Sequence, residues 1–289
     1  MADVFLEVAL NGPWSRDRQP LMPISVEDLV AEGLACAALG AAVIHLHVYD
    51  PATGRQFEDF DAYARVIEGI RAQADVIVYP TLPLAGSADA IAPMRPEERF
   101  ATVEALARAG LLEWAVIDPG STILASHAEL ATGGNGFLYR NSVEELRHGF
   151  ALAAEHRFHP SYAIYEPGFL RLGAEMAWRA GCPEPVYRLM FSDGFTFGFP
   201  PRVYALDAYC ALLDEVAPGA LWMSAGLQVD LSPVFDATLA RGGHIRVGLE
   251  DAPFHCDTGN VALTEAAVAR IVAAGHSPGS AAALRARLG

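Results

Sequence analysis

Eight short runs rich in β-branched and aromatic residues, separated by longer stretches with helical spacing, recur along the whole chain and constrain its fold more than any other feature. The runs are Val4–Leu10, Ala42–Val48, Val76–Thr81, Trp114–Asp118, Ser161–Glu166, Tyr187–Phe191, Leu221–Leu227 and His244–Glu250. A strand, a helix and a further strand in succession build a parallel sheet. Eight such units in 289 residues predict an α/β chain forming a single (β/α)8 TIM barrel over residues 1–289. An open doubly wound sheet matches less well, because no G-x-G-x-x-G follows the first run. Helices are expected over Ser25–Leu39, where Ser25 and Asp28 have capping-box spacing, and over Asp59–Gln73. The alanine-rich tail Val261–Leu288 has helical spacing and is expected to close the barrel.

A barrel carries its active site at the C-terminal ends of the strands, so polar residues there weigh most. The first five runs end at Asn11-Gly12-Pro13-Trp14, at His45, His47 and Asp50, at Thr81, at Asp118-Pro119-Gly120-Ser121 and at Glu166-Pro167-Gly168. The last three end at Ser192-Asp193-Gly194, Ser224-Ala225-Gly226-Leu227-Gln228 and Glu250-Asp251. Ala125–Asn141, with Gly133-Gly134-Asn135-Gly136, and Gly194–Arg202 read as irregular loops covering such a site.

His45 and His47 stand two residues apart in an apolar strand, so both imidazoles project from one face. Two imidazoles and one carboxylate form a common catalytic zinc set that leaves positions open, and Glu250 offers the carboxylate from another strand end. Strand histidines that only hydrogen-bond in the core are the alternative. Arg246 and Asp251 form a candidate pair in which the guanidinium orients a carboxylate base. An aspartate is a weak base, and it suffices where a metal chelates a β-dicarbonyl and stabilises the enolate. The competing reading of that pair is a salt bridge closing the seam between strands 8 and 1. Glu166 suits a site carboxylate and a helix cap equally. His255, Cys256 and Asp257 stay unassigned, and His148, His156 and His159 are expected to be solvated.

Composition removes other mechanisms. All 20 Lys+Arg positions are arginine, so lysine Schiff-base chemistry and P-loop phosphate binding are excluded. A formal charge of −15 argues against nucleic acid and anionic membrane as partners. Cys36, Cys182, Cys210 and Cys256 are widely spaced, which predicts buried free thiols. Met1-Ala2-Asp3-Val4 has neither the charge nor the apolar stretch of a signal peptide, so a cytoplasmic protein is expected.

Most of the chain resembles the β-keto acid cleavage enzymes, the family of the 3-keto-5-aminohexanoate cleavage enzyme. The resemblance is carried by Met22-Pro23-Ile24-Ser25 leading into a helix, by Leu39-Gly40-Ala41-Ala42 before His45-Leu46-His47, and by Arg246-Val247-Gly248-Leu249-Glu250-Asp251. It implies a homo-oligomeric barrel, a tetramer, binding Zn2+ through His45, His47 and Glu250. Asp251 and Arg246 would deprotonate a β-keto acid, with acetyl-CoA as co-substrate. The carbanion attacks the acetyl thioester, CoA migrates to the other acyl group, and a retro-Claisen step releases acetoacetate and a new acyl-CoA. Thr81 matches a position whose hydroxyl helps hold the keto acid. Trp14 stands where the aminohexanoate enzyme has a glutamate, which implies a substrate with a neutral or apolar tail. Tyr49 stands where many relatives place an arginine, which removes a positive charge beside the metal. Arg16, Arg18, Arg95, Arg99 and Arg140 are candidates to replace it.

Three other readings differ in class. A metal-dependent aldolase or lyase would use the same chelated enolate without CoA. A barrel amidohydrolase also carries H-x-H, on its first strand, whereas here a full strand and helix precede it. A barrel without catalysis would serve binding or assembly.

Overall fold

All eight predicted strands form: β1 (Leu6–Ala9), β2 (Val43–Leu46), β3 (Ile77–Pro80), β4 (Trp114–Val116), β5 (His159–Ile164), β6 (Val186–Phe191), β7 (Trp222–Gly226) and β8 (His244–Val247). The computed structural model describes residues 2–82 and 94–289. One parallel sheet runs in the order β3-β2-β1-β8-β7-β6-β5-β4 and curls into a nearly closed barrel. No ladder joins β3 to β4 among the described residues, but Tyr79 and Trp114 reach across the seam with ring centroids 5.7 Å apart.

Each strand is followed by a helix: α1 (Val26–Leu39), α2 (Phe60–Arg71), α3 (Ala101–Arg108), α4 (Val143–His156), α5 (Pro167–Ala180), α6 (Val203–Val216), α7 (Ser232–Ala240) and α8 (Asn260–Ala273). Ser25 caps α1 by accepting the Asp28 N–H at 3.1 Å, without a return bond from Asp28. Ser142 and Glu145 form a reciprocal capping box on α4.

Strand alternation sorts the side chains. Ile44, Leu46, Val78, Ile245 and Val247 pack outward with α1, α2 and α8 residues, while His45, Tyr79 and Arg246 take the alternate, inward face. A separate apolar cluster, including Trp14, Met22, Tyr49, Leu124, Tyr139, Phe195, Phe197, Leu227 and Leu249, covers the C-terminal ends of the strands.

Three expectations need correction. The tail is not one helix: Gly275, at φ +84°, lies beyond α8, Ser277–Pro278 pairs with Asp3–Val4, and a final helix α9 (Ala281–Leu288) follows. Ala281 and Leu284 bury against the cluster that includes Phe5, so this helix helps close the N-terminal end of the barrel. The segment after β4 is ordered rather than irregular, because Thr122–Leu124 pairs antiparallel with Phe137–Tyr139 around a short helix, His127–Ala131. His148, His156 and His159 are half-buried, and His159 Nδ1 lies 2.9 Å from the Glu184 carbonyl. All four cysteines are free, with Cys36 buried and the others half-buried. No helix among the described residues is long and apolar enough to cross a membrane.

Candidate active site

The interior of this barrel is charged at mid-height. Glu7 from β1, His45 from β2, Tyr79 from β3, Arg188 from β6 and Arg246 from β8 are each at most 3% exposed. Buried charges persist only with partners, so their contacts define what the site can do.

Glu250 is delivered by a turn that only glycine permits. Gly248 has φ +133°, and a Cβ there would stand 2.1 Å from the Ala9 carbonyl oxygen. The predicted strand through Glu250 therefore stops at Val247, and the next residues turn inward over the barrel mouth. Gly12, at φ +67°, leaves the space that the Glu250 side chain fills, since a Cβ would meet Glu250 Cγ at 2.4 Å.

His45 Nε2 and His47 Nε2 lie 3.4 and 3.6 Å from the two Glu250 oxygens. One ligand atom from each of the three residues falls within 4.8 Å of the others. His47 Nε2 and Glu250 Oε2 are buried and make no hydrogen bond, although Arg246 Nη2 stands 3.0 Å from that oxygen. Convergent orphaned donor atoms of this kind fit a cation. Charge agrees: four buried carboxylates, Glu7, Asp118, Glu250 and Asp251, accompany two buried guanidiniums, Arg188 and Arg246, an acidic excess that suits a cation.

Two residues that the sequence reading left unassigned aim His47. Asn11 accepts the His47 N–H at 2.9 Å and donates to the His47 carbonyl at 2.8 Å, and Gln56 Oε1 lies 3.0 Å from His47 Nδ1. A hydrogen bond at the second ring nitrogen sets which nitrogen faces a metal. Asn11 was visible as the polar end of strand 1, but its partner 36 residues away was not.

Protonation follows burial and charge. Burial holds His45 well below the usual imidazole range, so it is neutral and able to ligate. Burial alone would raise Glu250, yet Arg246 and the two imidazoles hold it well below the ordinary carboxylate range. Burial outweighs Arg246 at the neighbouring Asp251, which is raised. Arg246 resists desolvation because Asp251, Glu250 and Glu7 surround it. Adjacent carboxylates pushed in opposite directions suit different tasks, one a permanent anion and the other a proton acceptor.

Arg246 reaches Asp251 through Nη2 at 2.6 Å and Nε at 3.0 Å, and Glu7 through Nη1 at 3.2 Å. The Gly226 N–H donates to Asp251 Oδ2 at 3.0 Å. Arg246 lines the main cavity, whereas Asp251 stands behind it and lines a second cavity between the loops after β7 and β8.

The main cavity, at the mouth of the barrel, is lined by His45, His47, Glu250, Arg246, Arg188, Asp118 and Thr81 on its polar side. Its apolar wall includes Trp14, Leu124, Phe137, Met190, Phe195 and Leu227. Trp14 also fastens the site, donating from Nε1 to the Glu250 carbonyl at 2.8 Å. The Tyr49 hydroxyl supports that loop by donating to the carbonyls of Gly12 at 2.5 Å and Trp14 at 2.8 Å. Glu166 lies outside the cavity lining, where its Oε1 accepts from Thr122 Oγ1 at 3.0 Å and the Gly198 N–H at 3.3 Å. Among the candidate replacement arginines, Arg95 pairs with Glu98, and Arg99 and Arg140 both pair with Glu145. Arg16 donates to the Met22 carbonyl at 3.2 Å, and Arg18 stacks over Phe254.

Comparison with known proteins gives the family. The family described as beta-keto acid cleavage enzyme matches residues 3–289. A 3-oxoadipate:acetyl-CoA acetyltransferase from Cupriavidus necator is 28% identical over 93% of this chain and 87% of its own length. A 3-keto-5-aminohexanoate cleavage enzyme from Fusobacterium nucleatum is 22% identical over 82% of this chain and 78% of its own. Among solved structures, apo ObcA superposes with a TM-score of 0.72 at 15% identity, covering 93% of this chain; the chain spans 65% of that protein.

Proposed function

The chain belongs to the β-keto acid cleavage enzyme family, and on that premise we propose that it transfers an acyl group from a β-keto acid to the CoA of acetyl-CoA, releasing acetoacetate. The observation that carries the reading is the convergence of His45, His47 and Glu250 with Arg246 at one cavity wall, Asp251 being held behind Arg246 by its guanidinium. His45, His47 and Glu250 would hold a divalent metal, with zinc favoured by the imidazole ligands. When bound, that ion acidifies the C2 protons of the keto acid by polarising its keto oxygen.

The chain's own residues supply the rest. Asp251 takes a C2 proton, its raised affinity suiting it to the task, while Arg246 fixes its orientation. The C2 carbanion attacks the acetyl carbonyl of acetyl-CoA and expels the thiolate. The thiolate then attacks C3, the C2–C3 bond breaks, and the new acyl-CoA leaves. Asp251 returns the proton to C2 of the acetoacetate formed. Thr81 places a hydroxyl at the cavity wall for the keto acid, and Trp14, Phe137 and Phe195 favour a neutral or apolar tail. A cytoplasmic homo-oligomer is the setting we propose, supported by the free thiols and by Ile123, Leu130 and Leu138 exposed on one loop unit.

The test runs the reaction in reverse with zinc-loaded protein, acetoacetate and a pool of acyl-CoAs, read by mass spectrometry beside Glu250→Ala. Acetyl-CoA should appear as one acyl-CoA is depleted by the intact protein alone. Bound zinc without any thioester turnover would refute the CoA-dependent reading.

A further inference from the structure

The cavity contains two buried arginines whose surroundings differ sharply. Arg246 is enclosed by carboxylates at 2.6, 3.0 and 3.2 Å. Arg188, which enters from β6 across the barrel from β2, is equally buried at 3% exposure but sparsely engaged. Its Nη2 reaches the Ser161 carbonyl at 3.3 Å, its nearest carboxylate oxygen is Asp118 Oδ1 at 3.8 Å, and its Nε has no partner. Asp118 is already committed elsewhere, accepting the Ala163 N–H at 2.6 Å and the Tyr139 hydroxyl at 2.7 Å.

A guanidinium carries five donors in a planar fork shaped for a carboxylate, and unsatisfied donors are unfavourable once desolvated. Arg188 lines the cavity, so a ligand can reach it. Its depth identifies which part of the ligand it meets. The guanidinium carbon stands 5.9 Å from the Tyr79 ring centroid, and that ring is 4.5 Å from the His45 ring. Arg188 therefore lies at the level of the histidine–glutamate cluster. Leu124, Phe137 and Phe195 belong to segments beyond the strand ends, further out.

We propose that Arg188 binds the C1 carboxylate of the β-keto acid, fixing the acid end near the histidine–glutamate cluster while the tail lies against the apolar loops. The inference rests on the β-keto acid reading of the same cavity and adds the residue that selects an acid over its neutral analogues.

Calorimetric titration of the zinc-loaded protein with acetoacetate and with acetoacetamide, without CoA, tests it directly. The native protein should bind the acid more tightly than the amide. Arg188→Gln should weaken acetoacetate binding roughly 10- to 100-fold, the range for a lost charge-assisted contact, and leave amide binding and zinc content unchanged. Equal binding of acid and amide by the native protein, or preference for the acid undiminished in a folded, zinc-replete Arg188→Gln protein, would overturn the proposal. Where the glutamine variant does not fold, Arg188→Lys serves: it keeps the charge and loses the fork, so acid binding should fall several-fold, and unchanged binding counts against the proposal. Acid selectivity without acyl-CoA turnover would remove the acyl-transfer reading and leave the Arg188 site standing. Turnover without selectivity would do the reverse.

Discussion

The two ends of the barrel treat charge in opposite ways. At the N-terminal end, Arg285 of α9 bridges Asp75 and Glu113, and Arg71 adds a second contact to Glu113, all partly open to water. At the C-terminal half the charges are fully buried, and donor or acceptor atoms of Glu7, His45, His47, Arg188 and Glu250 are left without hydrogen bonds. The first arrangement closes a structure. The second holds polar groups desolvated and incompletely satisfied, a state that folding alone does not favour and that a metal and an anionic substrate would relieve.

The comparison breaks first at Asp251. Asp251→Asn should slow exchange of the acetoacetate C2 protons with heavy water by about 10²- to 10⁴-fold, the usual contribution of a general base, while zinc content stays near that of the unmodified protein. Exchange measured by proton NMR decides it, and an undiminished rate would make Asp251 a support for Arg246 rather than the base.

The opposite end should respond in stability alone. Leu284→Ala removes a fully buried side chain from α9 and should cost about 2–5 kcal/mol in denaturant unfolding, with turnover per folded molecule unchanged. A matching loss of zinc affinity would show that the two ends are coupled.

Acid provides the smallest and most graded test. His45 is held below its ordinary value of 6.5, so between the two values the unfolded chain binds a proton that the folded chain does not. Its contribution to stability is therefore full above pH 6.5 and falls as the pH drops towards the depressed value. Melting temperature of metal-free protein between pH 7 and 5 should decline, and His45→Asn should flatten that decline. A slope identical in the variant would assign the acid sensitivity to other groups.

Much of this was legible in the chain itself. The eight strands follow from local composition and period, and the His45-x-His47 spacing marked two imidazoles for one face, although the strand ends at Leu46 and His47 is set by Asn11 and Gln56. The hairpin after β4 was missed because its pairs, such as Ile123 with Leu138, are too short to show a period. Glu166 is at a strand end as expected, but Thr122 and Gly198 hold it outside the cavity, and neither neighbour is local. Asn11 and Arg188 contact residues distant in sequence, so nothing near them in the chain marks those contacts.

The sequence by itself determined the alternation of strand and helix, the absence of lysine chemistry and the residue types of the candidate ligand set, because these depend on local periodicity and composition. Only the tertiary structure decided that Glu250 faces the two histidines, that Arg246 is surrounded by carboxylates while Arg188 is not, and that burial raises Asp251 while Arg246 and the imidazoles overcome the same burial at Glu250 and hold it low. Those are properties of distance and desolvation, which exist only once the barrel has curled to bring distant strands together.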